Sequence, residues 1–188
     1  MLRVTVDSSF WVQLSQKRVL VLGDVMLDTW LTGDVHRISP EAPVPVVSLT
    51  HTTHRLGGAA NVALNIATLG ASAVLLGVVG ADSNGGILLD LLGREKRISS
   101  LLREVPSRAT TTKTRLQANN HQIARIDQEN TAPISLLDQA WLAREIEIQL
   151  AQCDCAIVSD YAKGVVQAEL IYTLSLHDAL PMDRKSVV

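Results

Sequence analysis

The sequence predicts an α/β fold built on a doubly wound, mostly parallel sheet, and three observations carry that prediction. Apolar runs without polar alternation recur at Val19–Leu22, Ala73–Val79 and Ala156–Ser159, as in strands covered on both faces by helices. Between them lie longer stretches with apolar residues at helical spacing. Apolar residues make up 47% of the chain, yet only six are aromatic (three Trp, two Tyr, one Phe). The core is therefore built from Ala, Val, Ile and Leu, as helix-flanked parallel sheets are.

At 188 residues the chain suffices for one domain with a sizeable core and is short for two ordinary ones. Seventeen Lys and Arg against nineteen Asp and Glu leave a net charge of -2, with both signs scattered. There is no basic stripe to neutralise nucleic-acid phosphates, so no nucleic-acid partner is expected. No window approaches the roughly 18 uninterrupted apolar residues of a membrane span, and no small-residue cleavage site follows an apolar run near the N-terminus. The expectation is a cytoplasmic protein without a membrane partner. Cys153 and Cys155 have no further cysteines to complete a zinc site, and His51 and His54 sit in a Thr-rich stretch without evident helical spacing. No metal site is expected from them.

Taken in order, Val19–Leu22 reads as a buried strand ending in Gly23-Asp24. From Trp30 to Leu49 short alternating pieces are broken by Pro40, Pro43 and Pro45, which suits a small β flap, or lid, over about 31–49. Gly57-Gly58 opens a helix from Ala59 to Leu69, with Val62, Ile66 and Leu69 at helical spacing, and Gly70 stops it. Ala73–Val79 is the next strand. Asp82-Ser83-Asn84 offers caps for a helix carrying Ile87, Leu88, Leu91 and Leu92. Ile98–Val105, Thr110–Ala118 and Gln122–Asp127 read as extended, with Asn119-Asn120 as a hairpin turn. Ser135 caps a helix to about Ala151, and Ala156–Ser159 closes the series. This alternation gives the doubly wound sheet, with right-handed crossovers as the default.

Ligands of open α/β sheets bind beyond the carboxyl ends of the strands, so Asp24, the Gly57-Gly58 loop and Ser159-Asp160 are expected around one crevice. A carboxylate there can accept from adjacent hydroxyls, and the Asn61 amide offers a donor and an acceptor, which together suit a polyol. Asp24 could equally be a turn or cap residue, and Asn61 could make a local turn bond. Paired glycines let backbone approach a ligand. They form neither a Walker A loop nor a three-glycine dinucleotide fingerprint. Lys113 and Arg115 share one face of a strand and are candidates for a phosphate, as is Lys163 in a Gly-containing turn. A solvated sheet face and an exposed lysine explain them equally well.

Gly57-Gly58-Ala59-Ala60-Asn61-Val62-Ala63, with Gly70 and Gly80 beyond it, resembles the first signature of the ribokinase-like (PfkB) sugar kinases. Four further blocks, Gly23–Asp28, Arg37–Val46, Thr112–Arg115 and Ser159–Gly164, resemble the heptose 7-phosphate kinase branch, over roughly Lys17 to Gln167. The resemblance implies a ribokinase-like fold, of which this is the N-terminal part with its small β lid. It also implies phosphoryl transfer from ATP with Mg²⁺ to the anomeric hydroxyl of D-glycero-β-D-manno-heptose 7-phosphate, a step towards ADP-heptose and the lipopolysaccharide core. Asp24 would then hold sugar hydroxyls, Gly57, Gly58 and Asn61 would line the sugar pocket, and the flap would cover it. Flaps of this family commonly serve dimer contacts, so a homodimer through the lid is an expectation.

The family carries its catalytic base in a C-terminal Gly-Ala-Gly-Asp motif, followed by an Asn-x-x-Glu. Neither occurs in this sequence, so no catalytic residue is assigned and most of the nucleotide site is expected to lie outside the chain. After Gln167 the text departs from the family, and residues 171–188 resemble translated adapter read-through. The kinase portion is thus expected over 1–170, as a fragment lacking its base, with an unpaired sheet edge. Another ribokinase-like sugar or nucleoside kinase and a non-catalytic sugar-binding module are the alternatives.

Overall fold

The computed structural model describes residues 7–119 and 121–178. The elements run α1 (Ser8–Ser15), β1 (Arg18–Gly23), β2 (Val25–Ile38), β3 (Pro45–Gly58), α2 (Ala59–Thr68), β4 (Ser72–Gly80) and α3 (Ser83–Gly93). They continue β5 (Ile98–Val105), β6 (Thr112–Ala118), β7 (His121–Gln128), α4 (Leu136–Leu150), β8 (Cys155–Ser159) and α5 (Ala168–Asp178).

The bare apolar runs form the centre of a parallel sheet of order β5-β4-β1-β8. Strand alternation divides β1 between two cores. Val19 and Val21 pack with Ala59, Ala60 and Ala63 of α2 and Leu88 and Leu92 of α3. Leu20 and Leu22 pack with Leu142, Ile146 and Leu150 of α4 and Leu170 and Leu174 of α5. This two-sided burial is the double winding that the sequence predicts, and small alanines let α2 lie close to the sheet. Asp82 caps α3 by accepting from the Gly85 N–H at 2.8 Å, and Ser135 caps α4 by accepting from the Asp138 N–H at 3.2 Å.

The second sheet has the order β3-β2-β6-β7, with β2 and β6 parallel and the other pairs antiparallel. It is larger than the flap expected over 31–49, because β2 and β3 are fourteen-residue strands and the β6–β7 hairpin joins them. The prolines do not break these strands. Pro40 and Pro43 lie in the connection, and Pro45 is the first residue of β3, a position proline tolerates. Asn119 turns the β6–β7 hairpin with φ 50°; its expected companion Asn120 lies outside the described residues.

Two further helices complete the described residues. Ser8–Ser15 forms a helix that buries none of its residues, so no core-facing periodicity marked it. α5 runs across position 170 and buries Leu170 and Leu174. Among the described residues no helix is long and apolar enough to cross a membrane.

Candidate functional site

Strand order places a switch point beside β1: the chain passes outward from β1 to β4 and β5, then returns to β8 on the other flank of β1. The crevice beyond the β1 and β8 ends is where an open α/β sheet usually binds its ligand. Here it is nearly filled. Asp24, 1% exposed, accepts from the Tyr161 N–H at 2.8 Å and the Lys163 N–H at 3.1 Å through Oδ2. Its Oδ1 accepts from the Val165 N–H at 3.3 Å. The cavity it lines with Val79, Arg108 and Lys163 is about 10 Å³, room for a single water.

The loop tied down in this way is held from its other side by Arg108. Its guanidinium donates to the carbonyls of Asn130 (2.5 Å), Ala132 (3.0 Å) and Lys163. Burial pushes the Arg108 pKa down, opposed by the charges of Asp24 and Asp138. The loop includes Ala162 at φ 55° and Gly164 at φ 78°. A Cβ on Gly164 would stand 2.1 Å from the Ala132 carbonyl oxygen, so glycine is needed for contact as well as for conformation.

An open cleft of about 530 Å³ lies elsewhere, between the second sheet and helices α2 and α3. Asp28 and Trp30 of β2, Arg55 of β3 and Arg115 of β6 line it, with Asn61 from the first turn of α2 and Arg94 at the end of α3. Register explains the assembly. Asp28 pairs with Arg55 on one flank and Lys113 on the other, and Trp30 pairs with Arg115. Cross-strand partners and i, i+2 neighbours share a face, so one face gathers Asp28, Trp30, Arg55, Lys113 and Arg115. The two glycines complete the wall. A Cβ on Gly57 would meet Asp28 Oδ2 at 2.7 Å, and Gly58 at φ 55° turns β3 into α2 where a Cβ would meet the Asp24 carbonyl oxygen at 2.3 Å.

The cleft therefore contains Asn61, with Gly57 and Gly58 behind it, but not the Asp24 carboxylate. Asp24 and Asn61 are linked only through backbone, the Ala59 N–H donating to the Asp24 carbonyl at 2.9 Å. The carboxylate that stands with Asn61 is Asp28, which the sequence reading passed over although it closes the same Gly23–Asp28 block. Its signal was the acid that ends the apolar run Val25, Met26, Leu27, a polar side chain on a strand just beyond buried residues. Arg55 and Arg94, also missed, carry no motif and are found only once the elements are in place.

The phosphate candidates divide. Arg115 Nη1 donates to Asp28 Oδ1 at 2.8 Å inside the cleft. Lys113 Nζ lies 3.6 Å from Asp127, and Lys163 Nζ lies 2.7 Å from Glu129. Among the described residues Arg55 and Arg94 have no carboxylate within 4.0 Å. Three guanidiniums against the carboxylates of Asp28 and Glu95 leave the cleft an excess of positive charge. Such a surface takes hydroxyls on Asp28 and Asn61 and an anion on arginine.

The described residues around the end of β8 do not compose a site for ATP with Mg²⁺. The amides of the loop after β8 are spent on Asp24, Lys163 is spent on Glu129, and among the described residues no three His, Cys, Asp or Glu side chains gather to hold a cation.

The pattern of the pfkB family carbohydrate kinases matches residues 16–185. The chain is 47% identical over 155 residues to the bifunctional protein HldE of Caulobacter vibrioides, covering 82% of this chain and 32% of that one. It is 43% identical over 171 residues to the D-beta-D-heptose 7-phosphate kinase of Bordetella bronchiseptica, covering 90% and 54%. The chain thus spans about a third of the first relative's length and about half of the second's. A solved carbohydrate kinase from Agrobacterium tumefaciens superposes with TM-score 0.65 at 16% identity, over 87% of this chain and 50% of that chain, a likeness of fold.

Proposed function

The chain belongs to the pfkB family of carbohydrate kinases, and on that premise we propose that it forms the sugar-binding part of a heptose 7-phosphate kinase. The reaction proposed for the whole enzyme transfers the terminal phosphoryl group of ATP, with Mg²⁺, to the anomeric hydroxyl of D-glycero-β-D-manno-heptose 7-phosphate. The product is the 1,7-bisphosphate, an intermediate towards ADP-heptose. The names of relatives at 43–47% identity support this reading. The observation that carries it is the cleft itself, where a carboxylate and an amide stand beside guanidiniums without carboxylate partners.

In this reading Asp28 accepts from sugar hydroxyls in the place expected of Asp24, while Asn61 and the Gly57-Gly58 backbone bound the sugar. Arg55 and Arg94, with Arg115, face the phosphate. Asp24 holds the loop after β8. A second copy of the chain is the further partner proposed, against the second sheet, where Ile38, Leu49 and Ile126 are exposed.

Calorimetric titration of the 188-residue chain tests the substrate. Heptose 7-phosphate is expected to bind at least tenfold more tightly than ribose or adenosine. Tighter binding of ribose or adenosine would overturn the heptose reading in favour of another ribokinase-like kinase.

A further inference from the structure

Trp30 stands half-buried on the cleft wall with a guanidinium from each neighbouring strand against it. Arg55 Cζ is 5.0 Å and Arg115 Cζ 4.8 Å from its ring centre. β3 and β6 flank β2 on opposite sides, so the two cations reach the indole from different neighbouring strands. Two guanidiniums on one small face repel, and long arginine side chains are mobile when nothing holds them. The negative faces of an indole offset both effects. Arg115 has a second restraint in Asp28, whereas among the described residues the ring is the one restraint on the Arg55 guanidinium.

We propose that Trp30 is the positioning residue that makes this cleft select phosphorylated over unphosphorylated sugars, by holding Arg55 and Arg115 towards a shared anion position. The inference rests on the reading of the cleft as a phosphosugar site and deepens it. Asp28 and Asn61 read the hydroxyls, which both kinds of sugar possess. Arg55 and Arg115 read the phosphate, and Trp30 acts through them without contacting it.

The test compares heptose 7-phosphate, the same heptose without phosphate, and inorganic phosphate on the 188-residue chain, titrated by calorimetry with intact folding checked by circular dichroism. The wild type is expected to favour the phosphosugar. Trp30→Leu, which keeps apolar bulk but removes the ring faces, is expected to weaken phosphosugar binding about threefold to tenfold. Its affinity for the free heptose is expected to stay within about twofold. Trp30→Phe retains a ring face and is expected to recover most of the selectivity. Inorganic phosphate binds weakly if the site needs the sugar hydroxyls as well.

Equal weakening of phosphosugar and free heptose in Trp30→Leu would show a general structural role and overturn the proposal, as would unchanged selectivity. Should Trp30→Leu not fold, Trp30→Phe beside Arg55→Gln decides: selectivity lost in both alike overturns the aromatic role. Wild-type chain that binds neither sugar overturns the phosphosugar reading itself and this inference with it.

Discussion

Gly57 and Asp28 are diagonal neighbours across the β2–β3 pair, so close that a single methyl group on Gly57 would sit 2.7 Å from Asp28 Oδ2 and 3.0 Å from its Cγ. The absence of a side chain at one position thereby sets where a carboxylate stands at another, and that carboxylate already holds Arg115 at 2.8 Å.

Gly57→Ala is therefore expected to displace Asp28 and loosen Arg115 together. The strain of overpacking costs about 1–3 kcal/mol of stability. Because Gly57 does not need a left-handed backbone, the chain still folds. Heptose 7-phosphate binding falls about tenfold or more, read by calorimetry beside a denaturant melt. Unchanged affinity in a folded Gly57→Ala variant would remove Asp28 from the sugar site.

Asp24 and Asp28, four residues apart, are expected to fail in opposite ways. Asp24→Ala strips partners from three backbone N–H groups, of which the one at Val165 is buried, and leaving a buried donor unpaired costs about 1–3 kcal/mol. Amide exchange at Tyr161, Lys163 and Val165 accelerates. Asp28→Asn, at a partly exposed ion pair, changes stability by less than about 1 kcal/mol but weakens sugar binding about tenfold. Melts and titrations on the two variants read the difference; weak binding in Asp24→Ala with normal exchange of the loop amides would return the sugar role to Asp24.

Asp82 gives a pH dependence with a definite sign. Burial works to raise its pKa, but hydrogen bonds from the Thr110 N–H and hydroxyl and the Gly85 N–H outweigh it, and the folded value lies below the ordinary 3.8. The unfolded chain thus takes up the proton at higher pH than the folded one. The contribution is complete above 3.8 and is lost as pH falls through the depressed folded value. Asp82→Asn is expected to cost about 0.5–2 kcal/mol at neutral pH, and the gap from wild type narrows below pH 4 in urea melts. A gap that widens with acid would contradict the assignment.

The alternation of bare apolar runs with helical spacing made the central sheet legible, because Val19–Leu22 and Ala73–Val79 are buried whatever lies around them. Ser135 and Asp82 were legible as caps, since capping is local chemistry. The second sheet was less so: Pro40, Pro43 and Pro45 look like breakers in one dimension, and only a partner strand shows that they sit in a connection. The cleft depended on the same information. Lys113 and Arg115 were visible as a pair because both lie on one strand, whereas Asp28, Arg55 and Arg115 meet only through a register between three strands. Asp24 drew the sugar role because the strand-end rule points to it. Nothing local to its sequence shows that the chain from Tyr161 to Val165, over 130 residues away, returns to take both of its oxygens.

That return makes Asp24 and Arg108 a coupled pair without a direct bond. The carboxylate gathers N–H groups of Tyr161, Lys163 and Val165, while the guanidinium takes the Lys163 carbonyl and ties it to Asn130 and Ala132. Lys163 is thus gripped at both ends of its backbone. Arg108→Lys cannot reproduce the planar fork that reaches three carbonyls and is expected to cost about 2 kcal/mol. Once Asp24→Asn has loosened the loop, Arg108 has less to hold in place, and the double variant is expected to lose less than the sum of the single losses by about 0.5–2 kcal/mol. Strict additivity in denaturant melts would mean that the two residues stabilise separate parts of the fold and that the loop is not their shared load.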